Sequence, residues 1–125
     1  MGSFTLSKAE RLSKEKLIKE LFDKGSSFYL YPFKILYLAN PDKRSAAVNQ
    51  LLITVSSRQF KRAVDRNLIK RRIREAYRLQ KEMIRDLPQK GIFSIIYTAK
   101  EILPFAQIRS KVFLVLEKIK KLEVQ

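Results

Sequence analysis

The stretch Phe60-Lys61-Arg62-Ala63-Val64-Asp65-Arg66-Asn67-Leu68-Ile69-Lys70-Arg71-Arg72-Ile73-Arg74-Glu75-Ala76-Tyr77-Arg78 reads as a helix that must satisfy two partners. Projected at about 100° per residue, Ile69, Ile73, Ala76, Met83 and Leu87 fall within roughly 80° of one another and form a core stripe. Arg66, Asn67, Lys70, Arg71, Arg74, Arg78, Lys81 and Arg85 spread over an adjoining arc of roughly 140°. Asp65 and Glu75 project elsewhere on the wheel, and Glu82 and Asp86 come late. Cations at 62, 66, 70, 74 and 78 sit on successive turns, where each like-charged pair costs on the order of a few tenths of a kcal/mol. A salt-bridged solvent face would alternate in sign instead. A core-docked helix with such a row left exposed is suited to a polyanion, and nucleic acid is the commonest.

The rest of the chain supplies that helix with a core. Ser13 reads as the N-cap of a first helix running to Lys24 and stopped by Gly25, with Leu17, Ile18, Leu21 and Phe22 on its apolar face. Phe28, Tyr29, Tyr31, Phe33, Ile35 and Tyr37 are the aromatic and β-branched residues that strands prefer, and Pro32 marks an edge or a break. Leu36 and Leu38 make the second face of Phe33–Leu38 apolar as well, so one face packs on helices and the other is available to line a groove. After a turn at Asn40-Pro41-Asp42-Lys43, a strand spans about Ala47 to Ser56. The basic helix spans about Lys61 to Leu87 and is ended by Pro88 and Gly91. Ile92 to Thr98 is a short, nearly continuous apolar run, as in a buried strand. Phe105 to about Leu122 is a last helix, with Ile108, Val112, Val115, Leu116 and Ile119 as its stripe. The expected architecture is one α+β domain over 1–125, in the order α-β-β-β-α-β-α.

Composition narrows the chemistry. The 125 residues suffice for one core and one domain. There are 27 Lys and Arg against 12 Asp and Glu, a formal net charge of +15. Such an excess opposes compaction by self-repulsion and fits a chain whose usual partner is acidic. The absence of Cys and His removes disulfides, the usual zinc sites, and thiol or imidazole catalysis. No apolar run reaches membrane-span length, and Lys8, Glu10, Arg11, Lys14 and Glu15 interrupt any secretory core, so the expected location is the cytoplasm.

The run Ala63-Val64-Asp65-Arg66-Asn67-Leu68-Ile69-Lys70-Arg71-Arg72-Ile73-Arg74-Glu75 is similar to the signature helix of the bacterial ribonuclease P protein subunit. That helix follows a strand ending in Val-Ser, which Thr54-Val55-Ser56 supplies here. Arg11-Leu12, Phe22, Gly25, the length and the charge also fit. The chain departs from the pattern at Leu68, where a third Arg is usual, and around Ser57-Arg58-Gln59-Phe60-Lys61, where a Lys-Lys…Gly pattern is usual.

The resemblance implies a small mixed sheet packed by helices, with a left-handed β-α-β crossover against the usual hand. It implies a ribonucleoprotein endoribonuclease in which a large RNA and its magnesium ions do the chemistry. The protein, with no catalytic residue and no metal or cofactor of its own, binds that RNA and the 5′ leader of precursor tRNA. Arg66, Asn67, Lys70, Arg71 and Arg74 become the RNA-contacting residues, with Arg62 and Arg78 at the two ends of the row. The leader groove is expected between this helix and the sheet, with Ile18, Phe22, Lys34 and Leu36 as its residues.

Rival functions are weaker on the same residues. A protein-only nuclease wants clustered carboxylates for two metals, whereas Glu15, Glu20 and Asp23, or Glu82 and Asp86, are interleaved with cations. A generic RNA-binding or ribosome-associated protein shares the charge and lacks only the motif. DNA docking of the helix-turn-helix kind needs a short helix and tight turn before the basic helix, and none is read there. A membrane-surface helix needs a bulky aromatic apolar face.

Overall fold

The computed structural model describes residues 6–124, without the side chains of Ser45, Glu123 and Val124. Helix α1 spans Glu15–Lys24, β1 Ser26–Leu30, β2 Phe33–Ala39, β3 Gln50–Val55, α2 Ala63–Gln80, β4 Gly91–Tyr97 and α3 Phe105–Val124. This is the expected order. The four strands form one sheet in the order β1-β2-β4-β3. β1 and β2 form an antiparallel hairpin about Tyr31-Pro32, β2 runs antiparallel to β4, and β3 runs parallel to β4. The sheet is therefore mixed, and α2 is the connection between its two parallel strands.

Alternation along the strands assigns each face. Phe33, Ile35, Leu51, Val55, Phe93, Ile95 and Tyr97 point into the larger core, where they meet Ile69, Ile73, Ala76 and Tyr77 of α2 and Ile108, Val112, Val115, Leu116 and Ile119 of α3. Leu36 and Ile92 point to the opposite face, where Leu12, Leu17 and Leu21 cover them. The N-terminal strap crosses from one core to the other. Leu6 is buried in the larger and Leu12 in the smaller, and between them Arg11 bridges Leu51 at the outer edge of β3.

Two helix ends differ from the sequence reading. α1 begins at Glu15 behind Lys14 rather than behind Ser13, with no side-chain cap. Gly25 does follow α1, with an ordinary φ of −68°. It is needed for space, because a Cβ there would strike the Leu21 carbonyl. α2 ends at Gln80, and a 3-10 turn at Lys81–Ile84 replaces the rest of the expected helix. Downstream of that turn, Pro88 has no N–H for the Ile84 carbonyl four residues back. That carbonyl accepts instead from Asn49 Nδ2 at 3.1 Å, while Asn49 Oδ1 accepts the Gly91 N–H at 2.8 Å. One buried amide thus ties the 3-10 turn after α2 to the start of β4.

Candidate nucleic-acid interface

The cation arc of α2 divides into two parts. In its C-terminal part the cations are paired. Arg78 Nε donates to Glu75 Oε2 at 2.9 Å, with a second contact between Arg78 Nη2 and Glu75 Oε1. Lys81 reaches Glu10 at 2.8 Å and Arg85 reaches Glu82 at 3.2 Å. The wheel set Glu75 apart from the arc, but three residues of helix bring it under Arg78. In the N-terminal part, Asn67, Arg71 and Arg74 are exposed and Lys70 is half-buried. None of Lys70, Arg71 and Arg74 has a carboxylate partner among the described residues. Arg62 is exposed at the helix start, 3.9 Å from Asp65.

Arg66 has a second task. Its Nη1 donates to the carbonyls of Phe60 at 2.7 Å and Lys61 at 2.9 Å, so it folds the chain between β3 and α2 back onto the helix. A neutral substitute would orphan those carbonyls.

The sheet face opposite α2 carries the second set of candidates. β-register aligns Tyr29, Lys34, Ile96 and Thr54 in one row across all four strands, and Ser27, Leu36, Ser94 and Leu52 in the next. α1 covers the second row: Leu36 is buried against it, and Ile18 is packed on the same cluster. The first row stays open, with Lys34 exposed and Tyr29 59% exposed. Tyr29 Oη lies 3.2 Å from Thr98 Oγ1, which holds the ring at the margin of the face. Phe22 on α1 is 52% exposed.

Ile18, Phe22, Lys34 and Leu36 are thus brought to one face, but Leu36 belongs to its core. The space between the α2 stripe and the sheet, where the resemblance places the groove, is core. The α2 stripe closes on the core that the odd-numbered residues of β2, β3 and β4 face, and the open surface lies across the sheet, beside α1. Tyr29, Thr54 and Ile96 join that surface and were missed, because only strand pairing aligns them with Lys34.

The sequence model of the family described as Ribonuclease P matches residues 6–120, nearly the whole chain. The chain belongs to the ribonuclease P protein family. A Porphyromonas gingivalis ribonuclease P protein component is 41% identical over 96 residues, covering 76% of this chain and 69% of that protein. One from Chlorobium phaeobacteroides is 40% identical over 90 residues, covering 70% of this chain and 61% of its own. The Staphylococcus aureus RNase P protein structure superposes with a TM-score of 0.72 at 25% identity, over 90% of this chain and 97% of that one. The Thermotoga maritima RNase P protein gives 0.70 at 27%, over 87% and 96%.

Ribonuclease P is a ribonucleoprotein endoribonuclease, and this chain is of the class of its accessory protein subunit, whose partner is the ribonuclease P RNA. The generic RNA-binding alternative finds no support among these relatives. For a ribonuclease P protein, the departure at Leu68 is local: this residue is half-buried, and Asn67 and Arg71 on either side of it are exposed. Among the described residues no group of three or more His, Cys, Asp or Glu is placed to hold a metal ion, and no helix is long and apolar enough to cross a membrane.

Proposed function

We propose that the protein holds two RNAs at once in the cytoplasm: the ribonuclease P RNA on the α2 arc and the 5′ leader of precursor tRNA on the open sheet face. The observation that carries this reading is the N-terminal part of the arc. Asn67, Arg71 and Arg74 are exposed on a helix whose opposite stripe is core, and no carboxylate is paired with the two arginines among the described residues. Arg forks grip phosphate oxygens bidentately, and an Asn amide can meet a base edge or a 2′-hydroxyl. Arg62, Arg66, Lys70 and Arg78 border this centre, Arg66 and Arg78 mainly by shaping the helix.

Phe22 and Tyr29 offer ring faces to unstacked bases, Lys34 offers a cation to the leader backbone, and the half-buried Ile18, seated on Leu36, forms the apolar wall beside them. Cations set between two RNAs offset their mutual repulsion, so cleavage by the RNA's own magnesium ions needs less magnesium when the protein is bound. Reconstitution tests this. Added to a matched ribonuclease P RNA at low magnesium, the protein should restore precursor-tRNA cleavage. No stimulation would overturn the reading.

A further inference from the structure

The two flanks of α1 are chemically different. Projected at about 100° per residue, Ile18 and Phe22 lie on one side of the buried Leu17–Leu21 stripe, and Lys16, Glu20 and Lys24 lie on the other. The first flank borders the open sheet face. The second faces the turn between β2 and β3 across a cleft of about 570 Å³, lined by Lys14, Lys16, Glu20, Lys24, Asp42 and Arg44 over a floor of Leu17 and Pro41.

We propose that this cleft is a second RNA-backbone site, in which Lys16 and Arg44 hold phosphate groups. The proposal rests on the reading of the protein as an RNA-binding subunit and adds a contact surface to it.

Charge accounting supports it. The two carboxylates of the cleft are already engaged: Glu20 pairs with Lys24 at 3.2 Å and Asp42 with Lys14 at 3.1 Å. The other Asp42 oxygen accepts the Arg44 N–H at 3.1 Å. Neither Lys16 nor Arg44 has a carboxylate partner among the described residues, and both are exposed.

Preorganisation supports it too. Asn40 Oδ1 accepts the Asp42 N–H at 2.9 Å, and the Asn40 N–H donates to the Lys90 carbonyl at 2.9 Å. The turn that carries Arg44 is therefore fixed before any ligand arrives, and the Lys14–Asp42 pair ties it to α1. A cation on a fixed turn loses less freedom on binding a phosphate than one on a loose chain. Because α1 separates the cleft from the open sheet face, a strand on each flank would hold the helix between two backbones. Two sources fit this chemistry, the ribonuclease P RNA and the distal part of a long leader.

The test uses the full chain with Lys16→Ala/Arg44→Ala, and a control pair on α3, Lys120→Ala/Lys121→Ala, that removes the same charge. Affinity is measured by fluorescence anisotropy over a salt series, first for the ribonuclease P RNA and then, in the assembled complex, for precursor tRNAs with short and long leaders. The cleft pair should weaken binding about tenfold at moderate salt and flatten the salt dependence by about one to two in log–log slope. The control pair should cost about twofold or less. Loss with the RNA alone assigns the catalytic RNA, and loss confined to long leaders assigns the leader. Lys16→Arg/Arg44→Lys should restore affinity.

Equal effects of the two pairs, or a weakened affinity with an unchanged slope, would overturn the proposal. So would unaltered RNA binding, including the case in which the cleft instead meets an acidic protein. If Arg71→Ala/Arg74→Ala is also silent, the RNA-binding reading itself fails. If only the cleft pair is silent, the cleft proposal alone fails.

Discussion

α1 and α2 lie on opposite faces of one sheet, yet they are anchored by very different amounts of core. α2 buries Ile69, Ile73, Ala76 and Tyr77 in a cluster that also takes in α3 and both central strands. α1 buries only Leu17 and Leu21, in a small cluster that includes Leu36 and Ile92. The difference teaches a division of labour. The helix whose like charges repel one another needs the deep anchorage, and that anchorage makes it a rigid platform. The helix that partitions a sheet face needs only enough contact to stay in place.

The largest expected effect breaks the platform. Ile73 is fully buried, and Ile73→Ala should cost about 4 kcal/mol of unfolding free energy in urea titration. Leu17→Ala, in the smaller cluster and beside an open cleft, should cost about 2 kcal/mol. Equal losses would contradict the contrast.

A smaller effect comes from the strap that joins the two cores. Burial by itself raises the Glu10 carboxyl, but hydrogen bonds from Lys81 and the Ser7 N–H outweigh it and hold the group below the usual carboxylate range. A lowered folded pKa gives stability that is present above the unfolded value of about 4.3 and is lost as pH falls through the folded one. Glu10→Gln should therefore cost about 1 kcal/mol at pH 7 and progressively less as pH falls below the unfolded value, as read from thermal midpoints across pH. A pH-independent loss would assign Glu10 a packing role only.

The smallest effect has the opposite sign. The Ser94 hydroxyl is buried under α1 with no hydrogen-bond partner among the described residues. Ser94→Ala removes an unsatisfied group and should stabilise by up to about 1 kcal/mol. Destabilisation would mean that the hydroxyl is satisfied.

Much of this was legible in the sequence, and the gaps have a common cause. Period 3.6 in α2 and α3 and aromatic, β-branched runs in the strands gave the element order, because each is a local property. What a wheel or an alternation cannot give is the neighbour. Arg66 belongs to the arc by angle, but its guanidinium is held by the Phe60 and Lys61 carbonyls, and only the path of the preceding chain brings those there. The Tyr29–Lys34–Ile96–Thr54 row needs three separate strand pairings, one of them across the α2 crossover. The groove's expected place beside α2 came from the family resemblance; which sheet face a helix seals is settled by register and not by its own residues. The early end of α2 was not legible: Pro88 signals a stop only several residues later, and the buried Asn49 that donates to the Ile84 carbonyl lies 35 residues away.

The central claim is that the N-terminal part of the α2 arc binds RNA and does not hold the fold. The direct measurement is ribonuclease P RNA affinity of Arg71→Ala/Arg74→Ala across a salt series, beside the thermal midpoint of the same protein. The account predicts at least about tenfold weaker binding, a salt slope shallower by about two, and an unchanged midpoint. Full affinity with the parent slope, or a weakened affinity that follows a lowered midpoint, would contradict it.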